Sequence, residues 1–199
     1  MNELIKTVGL AKMRVDAGFS RVGRRLKTDD PADRALMLLA ARAVSTGNAL
    51  TLLCRDGHSN ESLPLLRAIA EFAALMRWIA AAETGPRARV ALAELDAPRW
   101  ETLWSDARLK ERAEDFAVPV WAAAAALGSA PDFARGNASG LPWGHVFAEG
   151  ILTGRKAEET LAAAAVWLSL ALEALDRRWP GDFPGAAEMR DAAQISRGK

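Results

Sequence analysis

Apolar residues recur at steps of three and four along almost the whole of this chain, and no run of strand length alternates apolar with polar. A period near 3.6 gathers apolar side chains on one face only in a helix, so the pattern restricts the chain to an all-α fold. From 3 to 27 the stripe is Val8, Ala11, Val15, Phe19, Val22 and Leu26, one face of an amphipathic helix. Thr28-Asp29-Asp30-Pro31-Ala32-Asp33 then predicts a new start. Asp30 is the N-cap, Pro31 takes the first helical position, and the acids face the positive end of the dipole. This second helix reaches about 56 and stops at Gly57. Its small, polar centre, Ser45-Thr46-Gly47-Asn48, marks either a bend or a closely packed neighbour.

A third helix is expected over 60–83, with Pro64 confined to its first turn, and Gly85-Pro86 opens a shorter one to Leu95. Between 98 and 127, Trp100 and Trp104 stand one turn apart and Pro119 either kinks a helix or starts one. Residues 128–142 read as a loop and the surroundings of His145 as a short turn. A last long helix runs over 155–179 with Leu161, Ala165, Leu168, Leu172, Leu175 and Trp179 as its stripe. The expected architecture is a single-domain, up-and-down helical bundle of about five or six helices over 1–180, framed by 3–27, 31–56, 60–83 and 155–179. Residues 181–199 are expected to form a weakly packed or frayed tail.

A chain of 199 residues buries about 70% of its unfolded surface, enough for one real core. The net charge of +1 supplies no global field for nucleic acid, which makes nucleic acid a disfavoured partner. Cys54, the lone cysteine, excludes an internal disulfide or a multi-cysteine metal site and reads as a core residue. No apolar leader with a cleavage site begins the chain, and no uncharged stretch of about 18 residues follows. The expectation is a cytoplasmic protein without a membrane span. The first helix is rich in Lys and Arg, and Arg21-Val22-Gly23-Arg24-Arg25-Leu26-Lys27 could grip phosphates or an anionic surface. The plainer account is cations at the negative end of a dipole, neutralised by Asp29, Asp30 and Asp33.

Few patterns suggest chemistry. Gly57-His58-Ser59-Asn60-Glu61 lacks the second glycine and the preceding strand of a nucleophile elbow. Asp29, Asp30 and Asp33 have the spacing of a metal-binding acidic motif, but capping already explains them. His58 and His145, with Glu61, Glu71 or Glu149, have no spacing that demands a metal, so neither a metal nor a cofactor is expected. His145, after a long loop and beside Trp143, is a candidate acid or base. In Leu65–Trp78, Leu65, Ile69, Phe72 and Met76 share one side, while Arg67 and Glu71 share the other with Ala70, Ala74 and Trp78. A helix apolar on both sides reads as a central one, with the two charges at least partly desolvated and paired; the alternative is an ordinary exposed i,i+4 pair.

The segment LLCRDGHSNESLPLLRAIAEFAALMRWIA, 52–80, resembles a signature of uncharacterised all-helical bacterial proteins: helix, glycine turn, then a helix with arginine and glutamate placed as Arg67 and Glu71 are. Trp143-Gly144-His145 is similar to their later aromatic and histidine. The resemblance implies a HEPN-like helical fold, a class that includes ribonucleases and toxins. The nuclease motif of that class places about four to six residues between an arginine and a following histidine, one to two helical turns. Neither Arg135 with His145 nor Arg55 with His58 matches it.

The leading expectation is a non-catalytic binding or protein-interaction module, acting as a homodimer or with a protein partner, with Trp78, Trp143 and Arg77 as ligand-binding candidates. Its competitor is a HEPN-like, metal-independent ribonuclease or toxin. There His145 would be the acid/base and Arg67 or Arg135 would stabilise the phosphorane. A third candidate is a small-molecule enzyme with Glu71 as base in an inter-helix pocket.

Overall fold

The computed structural model describes residues 1–81, 85–96, 105–127 and 143–197, with 96, 143–155 and 197 described by their backbone alone. All regular structure there is helical: α1 (Asn2–Val22), a 3-10 turn (Gly23–Arg25), α2 (Pro31–Arg55), α3 (Leu63–Ala80), α4 (Gly85–Asp96), α5 (Asp106–Asp115), α6 (Val120–Leu127), α7 (Trp143–Arg178) and α8 (Ala186–Arg197). No strand occurs among the described residues. They hold eight α-helices rather than five or six. Pro119 starts a helix instead of kinking one, and part of the expected tail is itself helical.

The junctions follow local chemistry. The Asp30 carboxylate accepts the backbone N–H groups of Ala32, at 2.7 Å, and Asp33, so α2 begins at Pro31 as its cap predicts. Gly57, at φ +90°, turns the chain after α2, a conformation that glycine adopts without a Cβ clash. α1 stops short of 27 because Gly23 leaves the helical region and the chain tightens into the 3-10 turn. A Cβ added to Gly47 would lie 3.3 Å from Leu168 and 3.5 Å from Val8. The small patch in α2 therefore marks close packing.

α7 is the axis of the core. It packs against α1, α2, α3, α6 and α8, and Leu161, Leu168, Leu172 and Leu175 are all buried. Alanines at 162–165 and on α6 let backbones approach, and the buried Trp167 indole donates to the Ala122 carbonyl at 3.1 Å. By length and composition alone α2 is long and apolar enough to cross a membrane. Leu36, Leu39, Ala43 and Leu50 on it are buried against neighbouring helices, as in a core helix.

Two expectations about the C-terminal half need correction. α7 begins at Trp143 rather than near 155, so His145 lies within a helix and not on a loop or turn. Gly144, Gly150 and Gly154 lie within α7; isolated glycines cost only about 1 kcal/mol each and a long helix tolerates them. Nor is the segment after Trp179 a frayed tail. Phe183, Met189 and Ala193 are buried, and the Phe183 ring stands 5.2 Å from Phe19 and 5.7 Å from Trp179. Arg14 and Arg21 of α1 donate to the carbonyls of Gly185 and Asp182, and Arg25 pairs with the Asp182 carboxylate. Burial of Phe183 alone contributes about 1.5–3 kcal/mol, more than a frayed end could hold.

Candidate functional site

The arginine and glutamate of α3 are buried, 2% and 4% exposed, with Arg67 Nε 2.7 Å from Glu71 Oε1. Arg67 Nη1 also reaches Asp106 Oδ1 at 2.5 Å, at the start of α5. The first turn of α5 suits that carboxylate, and the Ser105 hydroxyl caps it by accepting the Arg108 N–H. These contacts tie α3 to α5. A guanidinium between two carboxylates is a structural bridge, and Glu71 so engaged is not poised as a base. Most of the helix bearing them is enclosed: Leu66, Ile69, Ala70, Ala73, Ala74 and Met76 are nearly inaccessible, while Leu65, Ala68, Phe72 and Trp78 are half-buried.

The other candidates scatter. Trp78 is half-buried, with Arg87 of α4 over its ring at 4.9 Å and donating to its carbonyl at 2.8 Å. That aromatic face already has its cation. Trp143 and His145 share the first turn of α7. Trp100, Trp104 and Arg135 lie outside the described residues. His58 and Glu61 are exposed and 3.9 Å apart, and the described residues contain no cluster of three metal-ligating side chains. Cys54 is buried and donates to the Ser62 hydroxyl, and burial pushes its thiol up, away from the reactive thiolate.

The acidic motif after α1 is likewise structural. Arg178 bridges Asp30 and Asp33, each at 2.8 Å, pinning the start of α2 to the end of α7. Burial opposes ionisation of Asp30, but the N–H groups of Ala32 and Asp33 together with Arg178 outweigh it and hold the carboxyl below its usual range. The basic end of α1 is engaged too: Arg14, Arg21 and Arg25 clamp the C-terminal segment rather than forming a free phosphate grip.

Arg77 is different. It is 9% exposed, its Nε lies 3.7 Å from Glu173 of α7, and its guanidinium is 5.5 Å from the centre of the Phe116 ring. Neither its Nε nor its Nη1 has a hydrogen-bond partner. Glu173 bonds Arg190 of α8 as well, so one carboxylate serves two arginines. Burial, then the charge of Arg177, depresses the Arg77 guanidinium; Glu173 opposes this and Arg190 adds to it. Glu173 and Arg177 in turn line a cleft of about 300 Å³ with Asp176, Phe183, Pro184, Gly185 and Ala186. That volume lies at the lower end of small-ligand sites.

Arg177, Arg190 and Glu173 escaped the sequence reading. They sit on α7 and α8 while Arg77 sits on α3, and no spacing along the chain announces the cluster. The amphipathic pattern of 186–197, with Met189 and Ala193 inward, was the one available signal. A comparison of the chain with protein-family models, curated proteins and solved structures finds no match.

Proposed function

We propose that this protein is a non-catalytic binding module whose ligand occupies the cleft between α7 and α8. The observation that carries the proposal is the cleft itself, where Arg177, Glu173 and Asp176 meet the apolar Phe183 and Pro184. A few polar groups in an otherwise apolar recess orient a small ligand. Two groups that the catalytic readings invoke are engaged elsewhere: Arg67 and Glu71 with each other, and Arg67 also with Asp106. A HEPN-like arrangement of the helices belongs to the same proposal, supported by the glycine turn at Gly57 and the Arg67–Glu71 pair that follows it.

Thermal unfolding against a panel of anionic, cationic and uncharged small molecules tests it. The expected outcome is a saturable rise in melting temperature, reduced in Arg177→Ala, where an exposed cleft-lining side chain is removed. No rise with any compound overturns the proposal. So does cleavage of RNA that survives EDTA and disappears in His145→Ala, which would establish the ribonuclease instead. A mass that grows with concentration, without any ligand effect, would replace the small ligand by a second copy of the chain.

A further inference from the structure

We infer that the outer face of α2 is a homodimer interface, on which a second copy of this chain docks antiparallel about Ser45. The positions four, seven and eleven residues to either side of Ser45 fall with it inside an arc of about 80° on the helix. They are palindromic in character: Ala41 answers Ala49, Leu38 answers Leu52, and Arg34 answers Asp56. All are exposed except Leu38, which is half-buried, and Leu52 is 50% exposed. By composition α2 is apolar enough for a membrane interior, yet only 39% of its apolar window is buried by the rest of the fold. The face does not line the cleft between α7 and α8, so the inference stands apart from the binding proposal.

A two-fold axis through Ser45 makes each of these contacts twice, the geometry of a self-complementary interface. Leu38 of each copy meets Leu52 of the other, and the alanines and serine between them let the helix axes approach to about 8 Å. Each Arg34 guanidinium, which takes part in no ion pair among the described residues, meets Asp56 of the second copy. Asp56 accepts from Arg55 through Oδ1 at 2.9 Å, and its Oδ2 can take the second guanidinium. Within one chain both charges stand at the wrong end of α2, the cation near the positive end of the dipole and the acid at the negative end. The antiparallel copy sets each beside the end of its neighbour that attracts it. At about 33 Å by about 10 Å the face is smaller than the standard interface of about 800 Å² per partner, so the dimer is a weak one, with Kd in the micromolar range.

Sedimentation equilibrium of the full chain, from about 1 to about 500 µM, tests the inference across that affinity range. The mass is expected to pass from one chain to two as concentration rises. Ser45→Arg, at an exposed position where a helix accepts arginine, sets like charges on the axis. It should hold the chain monomeric while leaving the melting temperature of the dilute protein unchanged. Arg34→Glu and Asp56→Arg each oppose like charges at both ends of the interface and should each weaken self-association about tenfold. An equimolar mixture of these two variants should recover the wild-type affinity, because each supplies the charge that the other has lost. A role of either residue within a single chain would give no such recovery. A monomer at every concentration overturns the inference. So does a dimer that survives Ser45→Arg, or one that the charge variants weaken without restoring it when mixed. A monomer that co-sediments with phosphatidylcholine vesicles would assign the face to a lipid surface instead.

Discussion

Removing Arg67 should be among the most damaging single changes in this protein. In Arg67→Ala the Glu71 carboxylate, 4% exposed, loses the guanidinium 2.7 Å away, and Asp106 loses its partner too. Removing one partner of a buried ion pair costs about 3–5 kcal/mol, and the lost packing of the arginine stem adds to it. Glu71→Ala should cost less, about 2–3 kcal/mol, because Arg67 keeps Asp106 at 2.5 Å. The double replacement Arg67→Met, Glu71→Leu removes both charges and should fall within about 1 kcal/mol of wild type or above it. Urea unfolding followed by far-ultraviolet dichroism and tryptophan fluorescence measures all three. The slope m should stay unchanged, so that midpoints report stability. For a chain of this size each kcal/mol moves Tm by about 2–4 °C, placing Arg67→Ala about 6–20 °C below wild type. Single variants that each cost less than about 0.5 kcal/mol would refute the buried bridge, as would a double apolar variant no better than Arg67→Ala.

Gly18→Ala offers a sharper sign test. Alanine ordinarily stabilises a helix interior over glycine by about 1 kcal/mol, but here its Cβ would sit 2.2 Å from a Phe183 ring held between Phe19 and Trp179. A loss of about 1–3 kcal/mol is expected, with exposure of 183–197 to protease, and a gain would show that the C-terminal segment is not docked there. Cys54 should ignore Ellman's reagent in the native protein and react only as denaturant unfolds it; rapid stoichiometric labelling without denaturant would contradict its burial. Asp30 is held below its usual pKa in the fold, so its contribution is complete above the unfolded value near 4 and fades as pH falls through the lower folded value. Asp30→Asn, which keeps the cap, should therefore lose stability near neutral pH and show a shallower acid decline between about pH 5 and 2; parallel curves would refute this.

What could be read along the chain was whatever depends on neighbours within a few residues. The Asp30 cap, Pro31 at the first position and the turn at Gly57 are each decided by backbone groups one to four residues away. The enclosed nature of α3 was legible too, because a helix apolar on both sides has to be surrounded. Boundaries failed where local preference is weak beside packing. The glycines after Trp143 read as punctuation but sit within α7, and the prolines and glycines of 180–185 hid a docked helix behind a turn.

The arginines gathered around Glu173 are the clearest case of what only the tertiary structure decided. Arg77, Glu173, Arg177 and Arg190 come from three helices. Their meeting depends on how α8 folds back on α7, which in turn depends on Gly18 leaving room for Phe183. Nothing in the spacing of charges encodes that fold-back, since a charge repels or attracts by distance through space and not along the chain. The sequence by itself determined that this would be a helical protein with an apolar helix carrying an arginine and a glutamate one turn apart; packing decided that the two are buried. Tertiary packing decided that Arg67 would be satisfied and Arg77 left with donors to spare, because a guanidinium's partners are fixed by whichever helices close around it.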